Sequence, residues 1–304
     1  MKEGLLVMAY GTPRRLHGVE AYYTHIRRGR PPSAALLAEL VGRYRAVGGP
    51  TRLNRITRRQ ADALGRALAA RGFHLSVHVG FKHVEPFVGE TVRKMAEHGV
   101  ERAIGLVMAP HYSLRSIAEY EAYAREAAPD SMEVEMIRSW HDDPGFVQFL
   151  ASRLRESVDR APGDPHVVFT AHSVPERVLE RGDTYPVQLR ETCALVAEAA
   201  AVRRWSFAYQ SAGRTAEPWL GPDVLEVLAE LAEAGETGVV VQSIGFVADH
   251  LEILYDLDIE VRDGARRLGL AYSRTGMPNA HPDFIAALAG LVVTRLGAPA
   301  EGAS

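Results

Sequence analysis

Cysteine is almost missing from this 304-residue chain, which has one, Cys193. It cannot pair within the chain, which fits a reducing cytoplasm and excludes a disulfide scaffold, a zinc ribbon and any cluster that needs four thiolates. A bound metal would need other ligands. Long apolar runs are missing too: the longest, Phe284–Val293, is ended by Thr294 and Arg295, well short of the roughly 18 residues of a membrane span. No integral membrane protein is expected. Met1–Tyr10 has one lysine, a glutamate at position 3 and a short apolar run, so it reads as an opening β-strand rather than a signal peptide. There is no low-complexity tract, and disorder is expected only in the tail, Ala298–Ser304. G-x-G-x-x-G, G-x-x-x-x-G-K-[ST], G-x-S-x-G and H-E-x-x-H do not occur. Dehydrogenase, P-loop, hydrolase and zincin readings lose their support with them.

What the chain has is length and an uneven charge. At roughly 150 residues per domain it predicts about two domains, and 47% hydrophobic and 24% charged residues are ordinary for a globular protein. The net charge is −3, but residues 1–80 carry 14 Lys+Arg against 4 Asp+Glu, leaving 21 against 34 for the rest. A basic region can hold carboxylates, phosphates or nucleic acid, and an acidic one suits cations, although plain solubility explains such asymmetry equally well.

Apolar runs of about six residues alternate with amphipathic stretches of about 12 to 18, the pattern of strand–helix units around a parallel sheet. Eight strands are expected: Gly4–Ala9, Leu75–Gly80, Ala103–Met108, Val134–Ile137, His166–Thr170, Ser206–Tyr209, Gly238–Ser243 and Leu268–Tyr272. Four fall on each side of residue 145. The expected fold is α/β, two doubly wound, four-stranded parallel halves with the site in the cleft between them, where strand-following loops meet. Thr57 reads as an N-cap, and Gly99 and Gly235 as residues just past helix ends. Gly29–Thr57 is too long for a plain connection and reads as an insertion, a candidate lid. A faint echo links Ala109-Pro110-His111 with Ala171-His172-Ser173, a pattern that duplication would leave.

The chemistry concentrates in a few places. Glu252, Asp256 and Glu260 are spaced i, i+4, i+8 directly after a strand. On a helix they form one ridge of like charge, which repels by a few tenths of a kcal/mol per pair. A solvated acidic face is the plain explanation; a path for cations is the other, since oxygen ligands hold divalent ions loosely. His172 follows a strand at the edge of the same half, so imidazole and the Glu252 carboxylate could face one ligand, as bases or as ligands for a metal such as ferrous iron. Tyr10 either caps the core or turns its phenol to the cleft, and Trp219 is either an anchor or a ligand wall. Arg27, Arg28, Arg30, Arg43, Arg45, Arg52 and Arg55, mixed with Tyr22, Tyr23 and Tyr44, suit planar carboxylated anions. Nucleic acid competes, but the basic residues sit in one insertion and no nucleic-acid fold signature is present.

Gly4–Pro13, Tyr22–Arg30, Lys82-His83 with Glu85-Pro86-Phe87, Ala109-Pro110-His111, Ala171-His172-Ser173, Pro218–Val224, Gly245–Asp256 and Met277–Ala280 together resemble the ferrochelatase family, in particular its coproporphyrin branch in Gram-positive-type bacteria, over nearly the whole chain. The resemblance implies a chelatase-like fold of two Rossmann-like halves, residues 1–142 with the insertion 29–57 and residues 143–304 carrying the metal site, with the last helix packing back on the first half. It implies insertion of ferrous iron into coproporphyrin III to give iron coproporphyrin in haem biosynthesis. His172 and Glu252 would then hold the metal and take part in proton removal, Asp256 and Glu260 would extend a polar path, and Tyr10 would be the axial ligand of the product iron. Arg27, Arg43, Tyr44, Thr51 and Tyr120 fall where the family contacts the macrocycle or its propionates. Thr51 stands in place of the usual serine, and Arg52 and Arg55 depart from the family pattern around it. Some relatives bind a [2Fe–2S] cluster through four cysteines, which Cys193 alone cannot do, so no cofactor beyond substrate Fe2+ is expected. A monomer in transient contact with neighbouring haem-pathway enzymes is expected. A protoporphyrin or cobalt chelatase of similar fold, and a porphyrin or haem carrier without activity, are the alternatives.

Overall fold

The computed structural model describes residues 2–213 and 215–296; the tail expectation, Ala298–Ser304, lies outside them. Among the described residues eight strands form two sheets, all parallel: β1 (Glu3–Ala9), β2 (Ser76–Phe81), β3 (Arg102–Val107) and β4 (Glu133–Ile137) in the order β2-β1-β3-β4, and β5 (His166–His172), β6 (Trp205–Gln210), β7 (Gly238–Ser243) and β8 (Ala271–Arg274) in the order β6-β5-β7-β8. Each sheet therefore reverses strand order beside its first strand, and ligands of open α/β sheets bind at the carboxyl edge of such a switch point. Between the strands run α1 (Val19–Ile26), α2 (Ala34–Ala46), α3 (Leu53–Ala69), α4 (Val88–Glu97), α5 (Ile117–Ala127), α6 (Pro144–Arg160), α7 (Arg177–Glu180), α8 (Tyr185–Ala200), α9 (Val224–Glu233), the wide helix Glu252–Val261 continued by α10 (Arg262–Arg267), and α11 (Pro282–Leu296).

Local chemistry accounts for several boundaries. Ser33 and Asp143 accept hydrogen bonds from Leu36 N and Phe146 N, capping α2 and α6. Gly99 and Gly235 follow α4 and α9 with φ of +79° and +87°, as their positions in the sequence suggested. Three apolar clusters fill the layers. One covers the outer face of the first sheet under α4 and α5, and another covers the second sheet under α9, the wide helix and α10. The largest joins the two sheets through Leu5, Val7, Trp140, Phe146, Phe169 and Phe284. The apolar run Phe284–Val293 lies inside α11, which packs on α3 and α6 and so ties the chain's last helix to the first half. No described helix is long and apolar enough to cross a membrane.

Four expectations need correction. The last strand is Ala271–Arg274, not Leu268–Tyr272, because Leu268 caps α10 and Gly269 turns the chain at φ +76° before the ladder starts. Thr57 is not an N-cap: it lies inside α3, its hydroxyl donating to the Leu53 carbonyl at 3.1 Å. Gly29–Thr57 is not one long connection but holds α2 and the start of α3, although it does border the cleft. Topology also dissolves the echo between His111 and His172. β3 corresponds to β7 and β5 to β1, so a duplication would pair His172 with Tyr10.

A cleft between the two sheets

Parallel ladders run past the strand ends and place the cleft residues. Lys82 N donates to Ala9 O at 2.9 Å and His83 N to Tyr10 O at 3.1 Å, so Tyr10 and His83 leave their strands side by side. Gly11 then turns the chain at φ +88°, where a Cβ would sit 2.5 Å from Val84. In the second sheet, His172 pairs with Gln210 at the last rung. The resulting cavity of about 620 Å³ is of the size that holds a cofactor-sized ligand. Its lining comes from both halves: Tyr10, Arg28, Arg43, Tyr44, Lys82, His83, Glu119 and Tyr120 from the first, His172, Ser211, Trp219, His250 and Glu252 from the second.

Glu252 is the centre of the second wall. Its Oε1 lies 3.5 Å from His172 Nε2 and its Oε2 lies 3.4 Å from His250 Nε2. His172 Nδ1 contacts the Ser173 carbonyl, which leaves Nε2 turned towards the carboxylate, and Tyr185 Oη donates to the His172 carbonyl at 3.1 Å. Burial by itself would depress the imidazole, but the Glu252 charge and hydrogen bond push it up to about 9. Burial likewise opposes ionisation of Glu252, and the two histidines outweigh it, holding the carboxyl well below the usual range. At neutral pH the pair is therefore a cationic imidazole against a carboxylate. Trp219 stands 6.3 Å from the His172 ring, its indole N–H donating to Thr215 Oγ1 at 2.8 Å.

The acidic ridge is real, but its geometry differs from the expected α-helix. Glu252–Val261 is a π-helix, a rare, wider coil of i→i+5 hydrogen bonds that is frequent at functional sites. Along it Asp256 is buried at 6% side-chain exposure and Glu260 is open at 40%. Asp256 accepts from Ser211, whose backbone is held at φ +60°, and from Arg43 Nη1 at 3.3 Å. Burial raises its carboxyl to about 6, with the Glu252 charge adding and Ser211 and Arg43 opposing. Neither Asp256 nor Glu260 lines the cavity itself. Arg43 reaches from α2 to both of them and to Glu39, its guanidinium 5.0 Å over the Tyr255 ring. It is thus a clasp between the halves rather than a free anion ligand.

On the first wall, Tyr10 turns to the cleft with 42% of its surface exposed. The cleft is narrow enough that poor hydration still drives its phenol up, with the Glu252 and Glu119 charges adding. Tyr44 hydrogen-bonds Thr12 at 3.1 Å, burial pushing its phenol up to about 12. Thr51 donates to the same Thr12 hydroxyl at 3.3 Å and lies behind the cavity wall rather than in it, and Tyr120 is buried at 3% exposure beneath Lys82. Arg27 also falls outside the lining, its Nε donating to Arg30 O at 3.3 Å, while its neighbour Arg28 lines the cleft and pairs with Glu119 at 3.1 Å. Arg52 and Arg55 are exposed and outside the lining. Sequence reasoning did not single out His250, Lys82 or Glu119 as site residues. Lys82 Nζ lies 2.8 Å from Glu119 Oε2, and burial lowers the ammonium despite that partner. His250 lies in the Gly245–Asp256 segment directly after a strand, and Lys82 in the Lys82-His83 segment, positions that could have flagged both.

Comparison with known proteins follows the same line. The ferrochelatase family profile matches residues 2–296. The coproporphyrin III ferrochelatase of Geobacillus sp. (strain WCH70) is 44% identical over 304 residues, covering 97% of this chain and 98% of that one. That of Bacillus subtilis (strain 168) is 42% identical with the same coverage. Among solved structures, SirB from Bacillus subtilis with Fe3+ superposes with a TM-score of 0.59 at 13% identity over 96% of this chain and 94% of that one. CbiX, the terminal enzyme for biosynthesis of siroheme in denitrifying bacteria, gives 0.55 at 11% identity over 95% and 97%. These two likenesses show the shared two-sheet fold.

Proposed function

The chain belongs to the ferrochelatase family, and from that premise we propose how it inserts ferrous iron into coproporphyrin III, the step that yields iron coproporphyrin in haem biosynthesis. Each turnover replaces two pyrrole N–H protons by one Fe2+, so two protons must leave as the metal enters. The observation that carries the reading is the His172–Glu252 pair, 3.5 Å apart on one wall of a cleft between two sheets.

An imidazole nitrogen and a carboxylate oxygen are ligands that ferrous iron accepts, and both also accept protons. We assign the incoming iron to His172 and Glu252, with His250 holding the second oxygen of the carboxylate. The pair starts with a proton on His172. Iron arriving at Nε2 displaces that proton to water along the side of Asp256 and Glu260, and once the iron has passed to the ring nitrogens the vacated Nε2 and the Glu252 carboxylate are the nearest acceptors for the two pyrrole protons. Asp256 and Glu260 continue the polar path from the cleft towards the surface. Tyr10, opposite, is assigned as axial ligand of the product iron. Tyr44 and Tyr120 shape the first wall, and Arg28, exposed at the cleft and shared with Glu119, is assigned to a propionate. Aromatic walls that favour a bent ring make the nitrogen lone pairs accessible, and propionate binding offsets the strain. Cys193 is buried and alone, so the assignment needs no iron–sulfur cluster. A cytoplasmic monomer with its halves meeting at residues 142 and 143 completes the proposal.

The test is coproporphyrin III plus Fe2+ under anaerobic conditions, followed by absorption, side by side with protoporphyrin and with Co2+. Iron coproporphyrin bands at the highest rate support the proposal. Binding of porphyrin without metallation would make the protein a carrier, and faster protoporphyrin or cobalt turnover would reassign its substrate.

A further inference from the structure

We propose that His25 is a positioning residue for Tyr10, acting through His83; the proposal rests on the assignment of Tyr10 to the product iron. The Tyr10 phenol oxygen has no hydrogen-bond partner among the described residues, so the direction of the ring is set by what it leans on. The His83 imidazole lies against it, centroids 4.4 Å apart and planes at 57°, and Tyr22 meets it edge-on at 6.5 Å. The main chains of Tyr10 and His83 are tied together by the 3.1 Å hydrogen bond already described. The angle between the rings therefore depends on how the His83 side chain is held.

Tyr22 meets the His83 ring edge-on at 6.4 Å, and among the described residues the one side-chain hydrogen bond of His83 goes to His25. His83 Nδ1 lies 2.9 Å from His25 Nδ1, and such a contact requires one ring to donate and the other to accept. Any turn of the His83 ring about Cβ–Cγ carries Nδ1 away from His25, so the bond holds the ring plane that Tyr10 meets at 57°. His25 sits in the last turn of α1, on the exposed side. Its ring is stacked on Phe87 at 5.0 Å and 17°, and Phe87 is the residue before α4. The row Phe87, His25, His83, Tyr10 thus runs from a helix start to the cleft. His83 borders the cleft, whereas His25 borders a separate outer hollow with Glu20 and Arg28. The cleft and the hollow meet at Arg28, and the His25 side chain itself lies outside the cleft lining. His25 is exposed, and its side-chain hydrogen bond reaches across 58 positions of sequence to a cleft imidazole.

The experiment loads the protein with ferric coproporphyrin III and reads the phenolate-to-iron charge-transfer band, by absorption and resonance Raman, together with the rate of product release. Tyr10→Phe is expected to lose the band. His25→Ala is expected to keep the wild-type thermal midpoint, to shift and weaken the band, and to release ferric product roughly fivefold faster, the scale of one neutral hydrogen bond. His25→Asn, whose amide can reach the place of Nδ1, should return both readings towards wild type. If His25→Ala lowers the midpoint, His83→Phe, which keeps a ring but no acceptor, carries the test and should show the same shift. A band and release rate unchanged in these variants while Tyr10→Phe alters them would overturn the role of His25, as would His25→Asn behaving like His25→Ala. A band that survives Tyr10→Phe would instead remove Tyr10 from the iron, and the proposal with it.

Discussion

Replacing Asp256 by asparagine is expected to stabilise the protein and to slow it at the same time. Asp256 is buried, and its carboxyl is raised from 3.8 to about 6. A folded-state value above the unfolded one means that the folded protein binds the proton more tightly, so stability is greatest at low pH and is lost as pH rises through the folded value. The shift is about two units at 1.36 kcal/mol each, so ionised Asp256 withholds about 3 kcal/mol at neutral pH. Asparagine removes the charge but brings an amide N–H2 facing Arg43, which takes back part of the gain, leaving about 1–2 kcal/mol. For a chain of this size that is a rise in thermal midpoint of roughly 2 °C per kcal/mol. Because Asp256 is mostly protonated in the folded wild type at about pH 5, the advantage should be about 1 kcal/mol smaller there than at about pH 8. Urea unfolding of both proteins at the two pH values measures this, and anaerobic iron insertion measures the loss of rate. A variant no more stable than wild type at the higher pH, or equally favoured at both, would refute the burial argument. Undiminished turnover would remove Asp256 from the path.

Other substitutions probe the cleft directly. His172→Ala should abolish iron insertion while coproporphyrin binding, followed by fluorescence, stays close to wild type; substantial remaining turnover would take His172 out of the mechanism. Glu252→Gln keeps the shape but loses the charge that raises His172, so it should fall severely in rate with little loss of fold, and near-normal turnover would contradict the assigned role. In Gly213→Ala the added methyl would lie within the Trp219 indole, so the ring must move. A loss in kcat/KM for porphyrin with an unchanged thermal midpoint is expected, and unaltered kinetics would show that Trp219 does not shape the bound ring.

Where the structure departs from the sequence pattern, a neighbouring element decides the outcome. Strand β8 was misplaced by three residues because Leu268-Gly269-Leu270 is apolar enough to read as strand, while the turn at Gly269 depends on α10 ending beneath it. Thr57 looked like a cap because its residue type favours one, yet Leu53, four residues earlier, already lies within α3 and accepts its hydroxyl. Arg27 and Arg28 are adjacent and identical, and only the end of α1, where Arg28 takes φ of +55°, decides which of the two borders the cleft.

Residue pattern alone was enough for the alternation of strands and helices, the glycine ends of α4 and α9, and the presence of an imidazole after one strand and a carboxylate ridge after another. Those features are local, written in periodicity and in residues whose backbone preferences act over a few positions. It took the packed fold to bring Glu252 to His172 and His250, to carry Arg43 across 213 residues to Asp256, and to set His25 against His83. Such pairings depend on which surfaces two sheets bury against shared helices, and burial is settled by the whole packed chain rather than by any stretch of it. The shifts at Glu252, His172 and Asp256 arise from that same burial, since a charge held away from water responds to its few fixed neighbours.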